Sequence, residues 1–73
     1  MSRKYLRILR EQRNMTMQDV ADKMGITRQY YQQIEAGEKQ KKMALPIAVS
    51  LSEAFGITTD QIIEYEKSII IAE

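Results

Sequence analysis

The sequence contains no cysteine and no histidine, and each absence excludes a class of chemistry. Without cysteine there is no disulfide, no thiolate metal site and no thiol nucleophile. Without histidine the commonest general base and the commonest metal ligand are both missing. The remaining carboxylates and tyrosines form no recognisable acid–base pair. We therefore expect a protein that is not an enzyme and that holds neither a metal ion nor another cofactor.

Long hydrophobic runs are missing as well. The longest, Met43 to Val49, has seven residues and contains Pro46, which is the only proline. A membrane-spanning helix needs about 18 or more apolar residues. The basic N-terminus, residues 1–4, leads into no apolar segment of the kind that a secretory signal requires. The sequence therefore predicts one small domain, without a membrane span and with a cytoplasmic location.

The two signs of charge are distributed unequally along the chain. Residues 1–42 carry ten Lys or Arg against five Asp or Glu, whereas residues 43–73 carry one Lys against five acids. A basic half is typical of a surface that binds a polyanion such as nucleic acid. Ordinary solvated helix faces would give a similar balance, so the charge alone leaves both interpretations open.

A few residues mark where helices should start and stop. The three glycines, Gly25, Gly37 and Gly56, each follow an apolar-periodic segment, where a helix C-terminus often needs positive φ. Candidate N-cap residues precede several apolar segments: Thr16, Thr27 and Thr58. No segment alternates as a strand would. The pattern predicts five helices, at about 3–13, 17–24, 28–36, 45–55 and 59–66.

Two of these helices stand very close together in the sequence. Met24 ends one, a turn begins at Gly25, and Arg28 starts the next. Two helices joined by a short turn containing glycine form a helix-turn-helix unit, whose second helix can enter the major groove of DNA. Ala21 is small where the two helices must cross closely. Many helical hairpins also carry a glycine turn, so the character of the second helix matters.

The second helix of this unit has one polar face and one apolar face. At about 100° per residue, one arc carries only hydrogen-bonding side chains and an alanine. The polar arc holds Arg28, Gln29, Gln32, Gln33 and Ala36, opposite Tyr30, Tyr31 and Ile34. In the major groove, arginine pairs with guanine and glutamine pairs with adenine. The pattern favours DNA bases as the ligand of this arc over a face that is merely solvated.

Residues 15–37, MTMQDVADKMGITRQYYQQIEAG, resemble the phage-repressor and Cro type (Xre-like) of helix-turn-helix domain. The Ala, Gly, Thr and Glu-x-Gly positions match at their spacing, and the similarity covers roughly residues 5–63. The resemblance implies an all-α fold, a compact five-helix bundle of lambda-repressor-like type. It also implies sequence-specific binding of double-stranded operator DNA, usually as a dimer.

The resemblance assigns roles to individual positions. Four residues stand where the family places side chains that contact bases: Arg28, Gln29, Gln32 and Gln33. Arg10 and Glu35 stand where the family has a partly buried ion pair between the first and third helices. Met17 departs from the family, which commonly has a phosphate-contacting Gln there, and Ser52 replaces an expected Ala.

Contacts with the DNA backbone are expected from a further set of residues: Thr27, Lys23, Tyr30, Lys39, Lys41 and Lys42. Such contacts provide affinity but little sequence information. The lysines could equally form a solvated loop, and the hydroxyl of Tyr30 could reach a phosphate or stay at the edge of the core. The other basic residues of the first helix, Arg3, Lys4 and Arg7, are expected to be solvated.

The predicted core follows the apolar faces of the helices. Its members are Leu6, Leu9, Met15, Val20, Ala21, Met24, Ile26, Tyr31, Ile34, Leu45, Ala48, Leu51, Phe55, Ile57 and Ile62. Methionines at helical spacing are interpreted as adaptable packing and not as a cofactor site.

The end of the sequence, residues 67–73, is too apolar for a typical disordered terminus. If the last helix continues, Ile62 aligns with Ile69 and Ile63 aligns with Ile70, which gives an apolar stripe. We predict a helix-turn-helix domain over residues 1–66, followed by a tail that forms a dimer contact. The dimer contact comprises Ile63, Ile69, Ile70 and Ile71. A dimer implies a palindromic operator, but the stripe could instead fold back on its own core.

The predicted function is a sequence-specific transcriptional regulator that acts as a repressor. One alternative is an antitoxin of the same fold, which would bind a protein toxin through its acidic second half as well as its own operator. The other alternative is a module that binds only protein. The glutamine-rich arc argues against that last function, because protein interface cores favour aromatic and aliphatic anchors.

Overall fold

Five α-helices make up the fold in the computed structural model, which describes the backbone of residues 2–72 and the side chains of residues 2–69. The helices are α1 (Lys4–Gln12), α2 (Met17–Met24), α3 (Arg28–Glu35), α4 (Leu45–Phe55) and α5 (Thr59–Ala72). No strand occurs in this part of the chain, so the prediction of an all-α fold with five helices is confirmed. α5 does not end near residue 66 as predicted. No glycine or proline interrupts residues 67–72, and the helix continues through them.

The core lies where α2 packs against α3 and α4, α4 packs against α5, and α1 contacts α3. Its buried members, all of them predicted, are Leu6, Leu9, Val20, Ala21, Tyr31, Ile34, Ala48, Leu51, Phe55 and Ile62. Four further predicted members are partly buried and pack against this cluster: Met15, Met24, Ile26 and Ile57. Burial of these side chains provides the main driving force for folding in a chain without disulfides.

The prediction that Leu45 belongs to the core is wrong, because its side chain is 62% exposed. Leu45 is the first residue of α4 and lies about 70° around the helix from the centre of the buried arc. Val49, one turn further on the same flank, is exposed as well. This flank of α4 is therefore an apolar surface.

Local hydrogen bonds fix the start of α2. The Thr16 hydroxyl accepts a hydrogen bond from the backbone N–H of Asp19 at 3.1 Å, and the Asp19 carboxylate accepts one from the Thr16 N–H at 2.8 Å. The hydrogen bond that the carboxylate accepts from the Thr16 N–H lowers the pKa of Asp19 below its ordinary value, because it favours the ionised form. Thr58 and Gln61 form the same reciprocal pair at the start of α5, at 3.0 and 3.1 Å.

Arg3 is the largest departure from the predicted surface. It was expected to be solvated, yet the residue is only 4% exposed. Arg3 is the N-cap residue of α1, and its guanidinium donates to backbone carbonyls near the end of α3 and to a carboxylate of α5. These acceptors replace the water that the charged group loses on burial.

None of the helices in the described part of the chain is long and apolar enough to cross a membrane.

Candidate nucleic-acid interface

The turn between α2 and α3 depends on the backbone conformation of Gly25. Its φ is 71°, a left-handed value that side chains other than glycine adopt only with strain. No atom lies within 4 Å of the place where a Cβ would be, so conformation and not space favours glycine there. The next residue, Ile26, donates from its N–H to the Ala21 carbonyl at 3.0 Å and closes the turn.

The direction of α3 depends on its N-cap residue, Thr27, and on a small residue of α2, Ala21. The Thr27 hydroxyl accepts a hydrogen bond from the Tyr30 N–H at 3.1 Å and so caps the helix. Ala21 of α2 is fully buried where α2 and α3 pack together. These features give α2 and α3 the arrangement of a helix-turn-helix unit.

α3 presents its polar arc to solvent. Arg28, Gln29 and Gln32 are exposed and Gln33 is half-buried, whereas Tyr31 and Ile34 on the opposite side are fully buried. The four side chains predicted to contact bases are thus available together on one face. Their role in base contact stays a prediction.

A shallow concavity on this face includes a residue that the sequence reasoning missed. It is lined by Gln29, Gln32, Gln33, Ala36 and Glu38. Glu38 is drawn to α3 because its N–H donates to the Gln33 carbonyl at 2.9 Å. A carboxylate in such a place can accept a hydrogen bond from the amino group of cytosine. Little in the sequence indicated that Glu38 lies on this face, because Glu38 follows the predicted helix and belongs to a loop.

The lysine loop, residues 36–44, connects α3 to α4 and carries Lys39, Lys41 and Lys42, all three exposed. Its shape depends on Gln40, which has a positive φ of 58°. The Gln40 side chain donates to the Tyr30 hydroxyl at 2.9 Å and accepts from the Ala44 N–H at 3.0 Å. Gln40 therefore ties the middle of the loop to α3 and to the start of α4.

The other residues predicted to contact the DNA backbone have mixed surroundings. Lys23, in the last turn of α2, and Thr27 are exposed. Tyr30 is half-buried and packs against the core, and its hydroxyl oxygen already accepts the bond from Gln40. The O–H of Tyr30 can still donate to a phosphate, so its predicted role is compatible with its place in the fold.

A second cleft lies on the other flank of α3, toward α1. Its lining includes Lys4, Arg7, Met17, Gln32 and Ala36. Lys4 and Arg7 are exposed, as the sequence predicted. Arg7 forms a long, exposed ion pair with Glu11, at 3.7 Å. Met17 occupies the start of α2, where the family commonly has a phosphate-contacting Gln.

Arg10 of α1 and Glu35 of α3 form a two-point ion pair. Arg10 donates from Nε and Nη2 to the two carboxylate oxygens of Glu35, at 3.2 and 3.1 Å. Their side chains are 14% and 9% exposed, so the pair is largely removed from solvent. The hydrogen bonds that Arg10 donates to the Glu35 carboxylate raise the pKa of Arg10 and keep it charged. Two-point geometry of this kind joins the two helices in one orientation.

Tyr31 lies beside this ion pair. Among the described residues no group has hydrogen-bonding geometry toward its buried hydroxyl. Burial raises the pKa of Tyr31, and the neighbouring Glu35 carboxylate raises it further. The phenol of Tyr31 therefore stays neutral over the pH range in which most proteins are folded.

The residues predicted for the dimer contact are only partly described. Ile63 and Ile69 of α5 are half-buried within the single chain. The side chains of Ile70 and Ile71 lie outside the described residues. The dimer contact therefore stays a prediction.

A family model described as Helix-turn-helix matches residues 6–62, which include most of α1, all of α2 to α4 and the first turn of α5. No curated protein and no solved structure matches the chain. The family match covers well over half of the sequence and coincides with the helices that build the α2–turn–α3 unit. The protein belongs to the Xre-like helix-turn-helix family and is a DNA-binding transcriptional regulator.

Proposed function

We propose that the protein is a sequence-specific repressor that inserts α3 into the major groove of operator DNA. The observation that carries this proposal is the composition of the exposed face of α3. An arginine and three glutamines share that face, opposite a fully buried Tyr31 and Ile34. Arginine can form two hydrogen bonds with a guanine edge, and glutamine can form two with an adenine edge.

In this proposal the residues divide into two groups. Arg28, Gln29, Gln32 and Gln33 contact base edges. Contacts with phosphates come from Lys23, Thr27, Tyr30, Lys39, Lys41 and Lys42. The first group determines which sequence is bound, and the second supplies much of the affinity and makes it depend on salt.

The proposed operator is palindromic, because we propose that the protein binds as a homodimer. One α3 offers a short recognition surface, and two copies related by a two-fold axis would read two half-sites. Half-sites about 10 base pairs apart would place both α3 helices on one side of the DNA.

Selection of bound DNA from a random library, at low and at high salt, tests this function. The expected result is enrichment of one inverted repeat, stronger at high salt, where sequence-independent binding is weakened. Binding without enrichment of any sequence would contradict sequence-specific regulation.

An antitoxin is the second candidate, favoured by the exposed apolar flank of α4. Leu45 and Val49 lie on that flank, in the half of the chain where acids outnumber bases. A toxin with a basic, apolar surface would fit such a flank. A small toxin encoded beside this protein, together with a stable complex between the two, would support the antitoxin. A complex that persists after Leu45→Ser would place the toxin elsewhere.

A further inference from the structure

The guanidinium of Arg3 connects three separate parts of the fold. It donates to the Ile34 carbonyl at 2.7 Å, in the last turn of α3, and to the Glu66 carboxylate of α5 at 2.8 Å. It also donates to two carbonyls of the lysine loop, those of Lys39, at 3.1 Å, and of Gln40. The backbone N–H of Arg3 donates to the Glu35 carbonyl at 2.7 Å.

The charge of Arg3 is balanced from α5. Glu66 is the carboxylate that pairs with Arg3 in the described part of the chain. Its position is fixed by Tyr5 of α1, whose hydroxyl donates to the same carboxylate oxygen. The ring of Tyr5 stacks on Tyr65, with centroids 4.8 Å apart and planes 15° from parallel. Burial and the bond to Glu66 raise the pKa of Tyr5, so that it remains a donor.

The lysine loop depends on these contacts for its position. The loop contributes one half-buried apolar side chain, Met43, to the surface of the core, and its three lysines are exposed. The carbonyls of Lys39 and Gln40 are held by Arg3 on one side, while the Gln40 side chain is held by Tyr30 on the other. The start of the loop is also held by α3, because the N–H groups of Glu38 and Lys39 donate to the Gln33 carbonyl at 2.9 and 3.2 Å. Further along, the loop has few apolar contacts, so its backbone there depends on Arg3 and Gln40.

We propose that Arg3, held by Glu66, is a positioning residue that orients the lysine loop for contact with DNA phosphates. The proposal rests on the proposed function, because it assigns a task to the loop in DNA binding. It also makes that contact depend on α5, the helix that carries the proposed dimer contact. Arg3 itself is buried and does not touch DNA.

A double-mutant cycle between Glu66 and Lys41 tests the proposal in the full-length chain. Affinity for a random-sequence DNA duplex is measured between about 50 and about 200 mM salt for the parent, Glu66→Gln, Lys41→Ala and the double variant. One phosphate contact accounts for roughly a 3.5-fold loss of affinity over that range. In the parent, Lys41→Ala should reduce the loss of affinity over the salt range by that factor. In the Glu66→Gln background, Lys41→Ala should reduce the loss by much less. Equal effects of Lys41→Ala in the two backgrounds would overturn the proposal.

Glu64→Gln is the matched control. Glu64 lies on the same helix and pairs with Lys67 at 3.6 Å in an exposed ion pair. In that background Lys41→Ala should keep its full effect. Thermal unfolding curves of all variants show that each is folded at the temperature of measurement. If Glu66→Gln does not fold, Tyr5→Phe removes one hydrogen bond to Glu66 and can keep the stacking, and the same cycle applies to it.

The outcomes separate this proposal from the proposed function. If the parent binds the random duplex but selects no sequence, the proposed function fails while the cycle still tests Arg3. If the parent selects a sequence and the cycle is additive, only the positioning role fails. If the parent binds no duplex at all, both are wrong.

Discussion

At the scale of single residues, the Arg10–Glu35 pair is the contact on which stability should depend most strongly. Its two hydrogen bonds join α1 to α3, and both side chains are largely shielded from water. Removal of one partner leaves a poorly solvated charge, which typically costs about 3–5 kcal/mol. A small domain has little stability to spare, since about 5–15 kcal/mol is usual.

Glu35→Ala should therefore lower the melting temperature far more than Glu38→Ala. Glu38 is exposed, so its replacement removes no buried charge. Thermal unfolding of the two variants beside the parent measures the difference. Equal melting temperatures would show that the pair contributes nothing to stability.

Replacement of Tyr31 should change stability in the opposite direction. Its hydroxyl is buried and unpaired among the described residues, and a buried polar group without a partner destabilises the folded state. Tyr31→Phe should leave the free energy of unfolding unchanged or raise it by up to about 1 kcal/mol. A loss of more than about 1 kcal/mol in chemical denaturation would show that the hydroxyl bonds to Glu35.

At the scale of the helices, the start of α2 should respond to acid through Asp19. The folded-state pKa of Asp19 is lowered, so its ionised form stabilises the fold. That contribution is complete above the unfolded pKa of about 3.9 and disappears as the pH falls through the lower folded pKa. Asp19→Asn should thus be less stable than the parent at pH 7, and the difference should vanish in strong acid.

Gln61 provides the control for this prediction. It occupies the same position at the start of α5 as Asp19 does in α2, but its side chain does not titrate. Gln61→Ala should lose stability by an amount that is the same at pH 7 and in acid. Urea unfolding at both pH values measures the two variants. An Asp19→Asn difference that is independent of pH would contradict the role of the charge.

The helices were predictable because their signals are local. Thr16 and Asp19 are three residues apart, and Gly25 directly follows the helix that it ends. The polar arc of α3 was predictable for the same reason, since it depends only on helical periodicity. Arg3 was not, because its acceptors are 31 to 63 residues away. Gln40 was missed because its place depends on contacts with Arg3 and Tyr30, which are 37 and 10 residues away. Glu38 was missed because it lies beyond the end of the helix whose periodicity marks the polar arc.

At the scale of the whole molecule, the question is whether two copies associate through α5. We expect the parent to be a dimer and a chain lacking residues 67–73 to be a monomer, because the deletion removes three of the four isoleucines of the proposed contact. The deletion retains Glu66, so the pairing of Arg3 is preserved. Sedimentation equilibrium measures both masses.

Leu45→Ser is the control for this deletion. Leu45 is an exposed apolar residue on a different helix, and its replacement should leave the mass of the parent dimer unchanged. A parent that is monomeric at high concentration, or a shortened chain that dimerises as well as the parent, would exclude the tail as the dimer contact. Loss of the dimer in Leu45→Ser alone would place the contact on α4.

The most direct test of whether α3 is the recognition helix compares Arg28→Ala with Lys41→Ala. Affinities of both variants and the parent are measured for the selected operator and for unrelated DNA at a fixed salt concentration. Arg28→Ala should weaken binding to the operator by about 1–3 kcal/mol and binding to unrelated DNA only a little. The ratio of operator affinity to unrelated-DNA affinity should therefore fall. Lys41→Ala should weaken both about equally. An Arg28→Ala chain that keeps the ratio of the parent would contradict the assignment of α3 to base recognition.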